Sequence, residues 1–153
     1  MNLDTARRFV DGLRQDIPLA GFMGLEAVAA DDRSLTLRAP LAPNVNDKGT
    51  AFAGSLASLS TVTGWALLML WAHERLGPCL VAVSHSELRY RHPVMQDFTA
   101  TATLPDDEAL TQLCHRIASH GRGRVTLSIR LDGGESGAVT QTATYAVWPA
   151  PAD

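Results

Sequence analysis

The sequence predicts an α+β fold in which an antiparallel sheet wraps around one long, apolar central helix. Residues 53–76 form an extended segment rich in apolar residues, and no charged residue occurs between Ala51 and Ala72. Segments on either side alternate apolar and polar residues with the period of two that is typical of half-buried strands. A helix that is apolar on nearly every face must be enclosed by other elements. The order helix, two strands, long helix, four strands supplies a sheet that can enclose it.

The first part of the chain predicts an N-terminal helix followed by a strand hairpin. Apolar residues recur at helical spacing over residues 3–16, and Pro18 is expected to end this helix. Two strand-like runs follow at residues 24–30 and 34–39. The sequence Asp31-Asp32-Arg33 between them is typical of a turn, so the two strands are expected to pair.

Four further strands and a short inserted helix are predicted after the central helix, which Gly77 and Pro78 are expected to end. The inserted helix starts with acidic residues at 106–108 and ends at Gly121, and its apolar residues recur at helical spacing. Its acidic start suits the positive end of the helix dipole. The strands are predicted at residues 80–91, 98–104, 124–131 and 138–148.

The composition predicts a single folded domain over residues 1–153 that does not bind nucleic acid. Hydrophobic residues make up 46% of the chain and charged residues 19%, as in globular proteins. The net charge of −3 offers no overall attraction to a polyanion. Cys79 and Cys114 are too few for a disulfide scaffold, so both are predicted to be buried thiols in a reducing compartment. The five histidines show no recognised metal-ligand spacing, and no metal site is expected.

The central helix is long enough to span a bilayer, so a membrane interpretation has to be weighed against a buried one. Serine and threonine residues are frequent in its first half, and its flanks lack an asymmetry of lysine and arginine. Both features favour a helix buried in a protein core, and no membrane span is expected. Acidic residues and the absence of an apolar signal region near the N-terminus predict a cytoplasmic location.

The loop before the central helix carries a motif that resembles a known family. The segments PLAPNVNDKGTAFAGSLASLSTVTGWALL and LRYRHPVMQD resemble the YiiD C-terminal-type hotdog family of thioesterase-like proteins, in a stand-alone form. The pattern NxNxKGTxFxGSL is the specific part, and the resemblance covers essentially the whole chain. It implies a hotdog fold and activity on acyl thioesters of acyl carrier protein or coenzyme A. Some family members decarboxylate malonyl groups held on acyl carrier protein. No separate cofactor is expected, because the substrate itself carries phosphopantetheine or CoA.

Four residues of this motif are the candidates for catalysis. Backbone N–H groups near Gly54 and Ser55 lie at the start of the helix and could stabilise negative charge on a thioester oxygen, although Gly54 could equally serve only helix packing. The amide of Asn46 could hold a carboxylate or a carbonyl, or could simply form a turn. Asp47 could act as a general base for water, or could be a solvated residue that pairs with Lys48.

A substitution in the central helix bears on the reaction. Many hotdog thioesterases carry a carboxylate about two turns into this helix, and the resemblance places Ser60 and Thr61 there. Hydrolysis needs a base or a nucleophile, whereas decarboxylation mainly needs a stabilised enolate, so decarboxylation is favoured. The hydroxyls of Ser60 and Thr61 could bind substrate or bond back to helix carbonyls.

Further residues are predicted to bind the substrate or its carrier. Exposed arginines could bind phosphates of the pantetheine arm or acidic helices of a carrier protein, or could be merely solvated. Arg122 and Arg124, which follow the inserted helix, are of the same kind. The complete set of predicted substrate-binding residues is Thr50, Phe52, Ser60, Thr61, Arg89 and Arg91.

Three functions remain open from the sequence. The first is decarboxylation of malonyl-ACP to acetyl-ACP in fatty acid synthesis, and the second is hydrolysis of acyl thioesters with Asp47 as base. The third is a noncatalytic module that binds acyl groups or their carrier. A homo-oligomer, either a dimer or a tetramer, is expected because hotdog sheets leave an edge strand unpaired in a monomer.

Overall fold

The structure is a computed structural model, and it describes residues 1–151. A six-stranded antiparallel sheet surrounds one long helix, as the sequence predicts. A single turn of 3-10 helix, Ala42–Asn44, lies in the loop before the central helix. The elements are α1 Leu3–Asp16, α2 Pro18–Met23, β1 Glu26–Ala30, β2 Ser34–Ala39, α3 Ala53–Leu76, β3 Cys79–Tyr90, β4 Phe98–Thr103, α4 Asp107–His120, β5 Gly123–Gly133 and β6 Glu135–Pro149.

The strand order is β1-β2-β4-β5-β6-β3, so β1 and β3 are the two edges of the sheet. All neighbouring strands are antiparallel. The helix α3 contacts every strand from β2 to β6 and is the central helix of the prediction. Because the strands alternate, one face of the sheet packs on α3 and the other face is polar, with Arg124, Thr126, Ser128 and Arg130 exposed along β5.

The helix α3 is long and apolar enough to cross a membrane by length and composition. Its middle is instead packed against the sheet, where Leu59, Ala66, Leu67 and Leu68 are fully buried. The prediction of a core helix is confirmed by this packing, because the residues that a bilayer would contact are in contact with strands.

The segment between α1 and β1 differs from the prediction. Pro18 ends α1 but also begins α2, since proline is tolerated at the first position of a helix. Gly24 caps α2 with φ of 70°. The strand β1 therefore begins at Glu26, and the prediction of a strand from residue 24 is wrong because Gly24 is needed to end a helix.

The hairpin of β5 and β6 is longer than predicted. The two strands are joined directly at Gly134, whose φ of 101° is readily adopted only by glycine. Pairing continues to the turn, with Gly133 opposite Glu135, so β6 starts three residues before the predicted residue 138. The first residues of β6 are not apolar, so the alternation of apolar residues did not predict this part of the strand.

The two cysteines differ in burial. Cys79 is buried at the start of β3, and this burial raises the pKa of its thiol. Cys114 is half-buried on α4, so the prediction that it is buried is only partly right. Both thiols are free, and residues 1–151 contain no group of histidine, cysteine and carboxylate side chains arranged to hold a metal ion.

Candidate active site

The loop before α3 is closed by hydrogen bonds within a few residues. Val45 and Ala51 form an isolated antiparallel bridge, and the backbone N–H of Asn46 donates to the carbonyl of Thr50 at 2.7 Å. Gly49 has φ of 77°, which lets the chain reverse within the loop. The carbonyl of Val94, in the segment after β3, accepts from the N–H of Ala51 at 2.8 Å. The loop is thus held in one position at the start of α3.

The side chain of Asn46 organises this loop. Its Oδ1 accepts from the backbone N–H groups of Lys48 and Thr50 at 2.8 and 3.1 Å. Its Nδ2 donates to Thr50 Oγ1 at 2.8 Å, and more weakly to the Ala51 carbonyl at 3.5 Å. The amide is half-buried. Asn46 therefore has the geometry of a turn residue. One of its amide hydrogens makes only the long hydrogen bond to Ala51, and a substrate oxygen could take the place of that carbonyl.

Asn44 anchors the same loop to the body of the protein. The side chain is buried, and its Nδ2 donates to the carbonyls of Met23 and Pro40 at 2.9 and 2.8 Å. The backbone carbonyl of Asn44 accepts from the N–H of Phe52 at 2.7 Å, directly before α3 begins. Asn44 is thus a structural residue of the site.

The first turn of α3 presents backbone N–H groups without acceptors. No side chain caps the helix, and within residues 1–151 the N–H groups of Ala53, Gly54 and Ser55 have no hydrogen-bond partner, while that of Leu56 donates to the Phe52 carbonyl. These groups and the helix dipole together favour negative charge at this end. The predicted Gly54 and Ser55 therefore lie where an oxyanion could be stabilised.

An aromatic ring lies against Gly54 at the start of α3. A Cβ at Gly54 would overlap the ring of Phe52, which lies against it and is 55% exposed. Beside it, the hydroxyl of Tyr90, at the end of β3, donates to the Ala53 carbonyl at 3.3 Å. The start of α3 is thus flanked by two aromatic side chains, and Tyr90 is a member of the site that sequence reasoning missed.

Asp47 lies on the outside of the loop. Its side chain is 81% exposed, and its Oδ1 is 3.3 Å from Lys48 Nζ. No other hydrogen bond positions the carboxylate within the described part of the chain. The arrangement is that of a solvated ion pair, as the alternative interpretation of Asp47 predicts.

Two turns into α3, polar side chains meet the inner face of the sheet. Gln141 of β6 is buried, and its Nε2 donates to Thr61 Oγ1 and to Ser86 Oγ, both at 2.8 Å. Ser60 Oγ and Gln141 Oε1 are buried without a partner in the described residues. Tyr145 donates to the Thr61 carbonyl at 2.9 Å. Sequence reasoning missed Gln141 and Ser86, although a glutamine among the inward-facing residues of β6 was a detectable signal.

The two predicted arginines of β3 belong to a different surface. Ser86 contacts Gln141 on the inner face, so alternation places Arg89 on the outer face of the sheet, where it pairs with Glu87 at 3.0 Å. Arg91 follows the strand, and both arginines line a shallow cavity of about 250 Å³. No hydrogen bond or ion pair joins them to the Asn46 loop among residues 1–151. Their role in binding stays a prediction.

Comparison with known proteins assigns the chain to a family. The profile of the family described as "Putative thioesterase (yiiD_Cterm)" matches residues 6–149. The match includes the loop, the whole of α3 and all six strands.

Solved structures have the same fold over nearly the whole chain. A protein of unknown function from Chlorobaculum tepidum is 28% identical with a TM-score of 0.90, covering 97% of this chain and 98% of that one. A putative thioesterase from Shewanella oneidensis is 26% identical with a TM-score of 0.83, covering 95% and 99%. A probable thioesterase from Pseudomonas aeruginosa is 26% identical with a TM-score of 0.80, covering 97% and 96%.

Proposed function

This chain belongs to the putative thioesterase family of the YiiD C-terminal type and has the hotdog fold, and from that premise we propose that it is an enzyme that decarboxylates a malonyl thioester to an acetyl thioester. The carrier of the acyl group is acyl carrier protein or coenzyme A. The observation that carries the proposal is the start of α3. There, N–H groups that have no acceptor within residues 1–151 adjoin a helix that has no carboxylate before Glu74.

The first turn of α3 supplies the electrostatic part of the reaction. A thioester oxygen placed near the N–H groups of Gly54 and Ser55 would accept from donors that are fixed before the substrate arrives. Such preorganised donors lower the energy of a state in which negative charge develops on that oxygen. An enolate and a tetrahedral intermediate would both benefit, so this feature supports acyl-thioester chemistry in general.

The lack of a positioned base among residues 1–151 distinguishes the two reactions. Hydrolysis requires activation of water, yet Ser60 and Thr61 occupy the helix positions where a carboxylate would serve, and Asp47 is exposed beside Lys48. Decarboxylation needs no such base. The malonyl carboxylate leaves as carbon dioxide, the electrons of the broken C–C bond form the enolate, and a proton from water converts the enolate to the acetyl group.

Asn46 is assigned to hold the substrate. Its Oδ1 is used by the loop, but the Nδ2 hydrogen that meets the Ala51 carbonyl at 3.5 Å is poorly bonded. This N–H could donate to the malonyl carboxylate or the thioester carbonyl in place of the Ala51 carbonyl, while the rest of the amide stays bonded to the loop. The role requires no change in protonation of the side chain.

The proposal includes a homo-oligomer that is at least a dimer. The edge strand β3 has 12 residues and, among the described strands, pairs only with β6. Val83 and Tyr90 on this strand are 44% and 50% exposed. A long, unpaired edge invites pairing with another chain, and a second copy would satisfy it symmetrically. The site at Tyr90 and Ala53 would then lie at the boundary between two chains. We place the enzyme in the cytoplasm, where free thiols such as Cys79 persist.

Hydrolysis is the second candidate, because the Shewanella and Pseudomonas relatives are described as thioesterases. One assay separates the alternatives. The purified protein is incubated with malonyl and acetyl thioesters of both carriers, and carbon dioxide and free thiol are measured together. Decarboxylation predicts carbon dioxide from the malonyl substrates without free thiol. Release of thiol from acetyl substrates would instead assign a hydrolase, and binding without turnover of any substrate would assign a noncatalytic module.

A further inference from the structure

A small polar cluster lies between α3 and β3, two turns into the helix. It consists of Thr61 on α3, Ser86 on β3 and Gln141 on β6, and we call it the hydroxyl cluster. The Nε2 of Gln141 lies 2.8 Å from the hydroxyl oxygens of both Thr61 and Ser86. Gln141 is buried, Thr61 is half-buried and Ser86 is exposed. The cluster thus extends from the core of the protein to a side chain that a ligand can reach.

Gln141 sets the direction in which the two hydroxyls can donate. Its amide N–H groups donate to both hydroxyl oxygens, so each hydroxyl hydrogen is directed elsewhere, and neither has an acceptor within residues 1–151. The hydroxyl of the preceding residue on α3, Ser60, is likewise buried without a partner in this part of the chain. Helical hydroxyls commonly bond back to a carbonyl one turn earlier, as Thr63 does to Leu59 at 2.7 Å. The hydroxyls of the cluster, in contrast, are donors that a ligand can use.

The hydroxyl cluster lies along the same contact between α3 and β3 as the candidate active site. At the start of α3, the hydroxyl of Tyr90 donates to the Ala53 carbonyl at 3.3 Å. Further along the helix, the indole N–H of Trp65 donates to the Val81 carbonyl at 2.8 Å. The helix therefore runs beside β3 in the opposite direction, and the cluster comes between these two contacts in the sequence. The cluster and the first turn of α3 thus border the same face of the helix.

The distance along α3 fits a malonyl group. Thr61 is six residues beyond Ser55, a rise of about 9 Å along the helix axis. A malonyl thioester whose oxygen lies at the N–H groups of the first turn, and whose carboxylate lies at the cluster, spans about 10 Å with its two hydrogen bonds. Ala57 and Ser58, one turn before the cluster, are small and half-buried, so the helix presents little bulk between the two points.

We propose that the hydroxyl cluster binds the carboxylate of the malonyl group, with Thr61 and Ser86 as the donors and Gln141 as the residue that positions them. Both hydroxyls lie at the same distance from one nitrogen, so a single carboxylate can accept from both. The assignment, which rests on the proposed function, leaves the thioester carbonyl to Asn46 and the first turn of α3. It makes the site selective for acyl groups that end in a carboxylate.

Neutral donors suit a carboxylate that has to leave. Within residues 1–151 no arginine, lysine or histidine forms a hydrogen bond with the cluster, and Arg89 of β3 lies on the opposite face of the sheet, paired with Glu87. A cation would stabilise the carboxylate of the substrate but not the carbon dioxide that it becomes, and would thereby raise the barrier. Hydroxyl donors hold the carboxylate less strongly, so they can select it without opposing its loss.

Binding of two stable analogues, measured by calorimetry, tests the cluster without turnover. The probes are the amide analogues of malonyl-pantetheine and acetyl-pantetheine, in which N–H replaces the thioester sulfur. The double variant Thr61→Val with Ser86→Ala should bind the malonyl analogue at least about tenfold more weakly than the unmodified protein and the acetyl analogue equally well. Ser86→Ala alone changes an exposed residue, so it should fold, as circular dichroism checks, and should show a smaller loss in the same direction.

Two further variants complete this test. The matched control is Thr63→Val, which makes the same chemical change on α3 at a hydroxyl that already donates to the Leu59 carbonyl. Its affinity for both analogues should equal that of the unmodified protein. Gln141→Leu keeps a buried side chain of similar size but no longer directs the two hydroxyls. It should weaken binding of the malonyl analogue only, whereas a merely structural role would affect both analogues alike.

Turnover separates the carboxylate site from the proposed function. With a malonyl thioester, the double variant should raise KM by at least about tenfold and leave kcat within about threefold, because the bonds to the carboxylate are not needed once carbon dioxide leaves. If Ser86→Ala and the double variant weaken both analogues equally, or weaken neither, the carboxylate assignment is wrong. Tighter binding of the malonyl analogue that depends on the cluster, without release of carbon dioxide from malonyl thioesters, would retain the carboxylate site and reject the decarboxylase.

Discussion

The first turn and the middle of α3 are built from similar small and apolar residues, yet they have different surroundings. In the middle, Gly64 packs against Tyr145 and Leu67 is fully buried beneath the sheet. In the first turn, Gly54 packs against the half-exposed ring of Phe52, and the backbone N–H groups find no acceptor in the described part of the chain. The middle can only stabilise the fold, whereas the first turn can also act on a ligand. Substitutions in the two regions should therefore affect different measurements.

The largest effect is expected from a charge in the middle of α3. Leu67→Arg would bury a cation that has no partner, at a cost comparable to the whole stability of a small domain. We expect no folded protein in solution, as judged by circular dichroism and gel filtration. His73→Arg, an exposed position in the last turn of the same helix, should fold normally. A folded Leu67→Arg protein would contradict the description of α3 as an enclosed helix.

The next effect is expected at the first turn and concerns turnover. Asn46→Ala should lower kcat by about 10² to 10³, the usual loss for one preorganised donor. It should also lower the melting temperature, because the hydrogen bonds that hold the loop are lost. Asn46→Asp is the sharper variant, because its carboxylate can still accept from the N–H groups of Lys48 and Thr50 but offers no N–H to the substrate. A loss of similar size in both variants supports the donor role. Normal activity of Asn46→Asp would show that Asn46 serves only the loop.

A smaller effect is expected from a methyl group in the middle of α3. Gly64→Ala would place Cβ against the hydroxyl of Tyr145, so the free energy of unfolding should fall by about 1–3 kcal/mol in urea denaturation. The same change at Gly12, on an open face of α1, should raise stability by about 0.5–1 kcal/mol because alanine favours a helix. Combining Gly64→Ala with Tyr145→Phe should cost less than the sum of the two single changes. Additive costs would mean that the two side chains do not press on each other.

The smallest effect is expected at Asp47. Because its carboxylate is exposed beside Lys48, Asp47→Asn should leave carbon dioxide release from malonyl thioester within about twofold of the original rate. The measurement that matters is free thiol. If the unmodified protein releases free thiol and the Asp47→Asn variant does not, the reaction is hydrolysis with Asp47 as base and the assignment as a decarboxylase is wrong.

The sequence by itself determined the long helices, the strands and their order, but not the short helix α2. The charge-free run of α3 could only be a core helix or a membrane span, and the strict alternation from Val125 to Leu131 could only be a strand with one buried face. The NxNxKGTxFxGSL motif located the loop before α3. These are local patterns, and the physics that produces them acts over a few residues at a time.

Only the tertiary structure decided which side chains meet. The register of β3 on β6 brings Ser86 within hydrogen-bond distance of Gln141 and leaves Arg89 on the face away from α3. Ser86 and Arg89 belong to one predicted strand, which did not say which of them faces α3. A bulge between Val83 and His85 shifts that alternation, and a shift of one residue exchanges the faces of all that follow. The same reason applies to the open cavity that Arg122 and Trp148 both line, because these two residues are far apart in the sequence. Register and packing are long-range choices, so no local pattern specifies them.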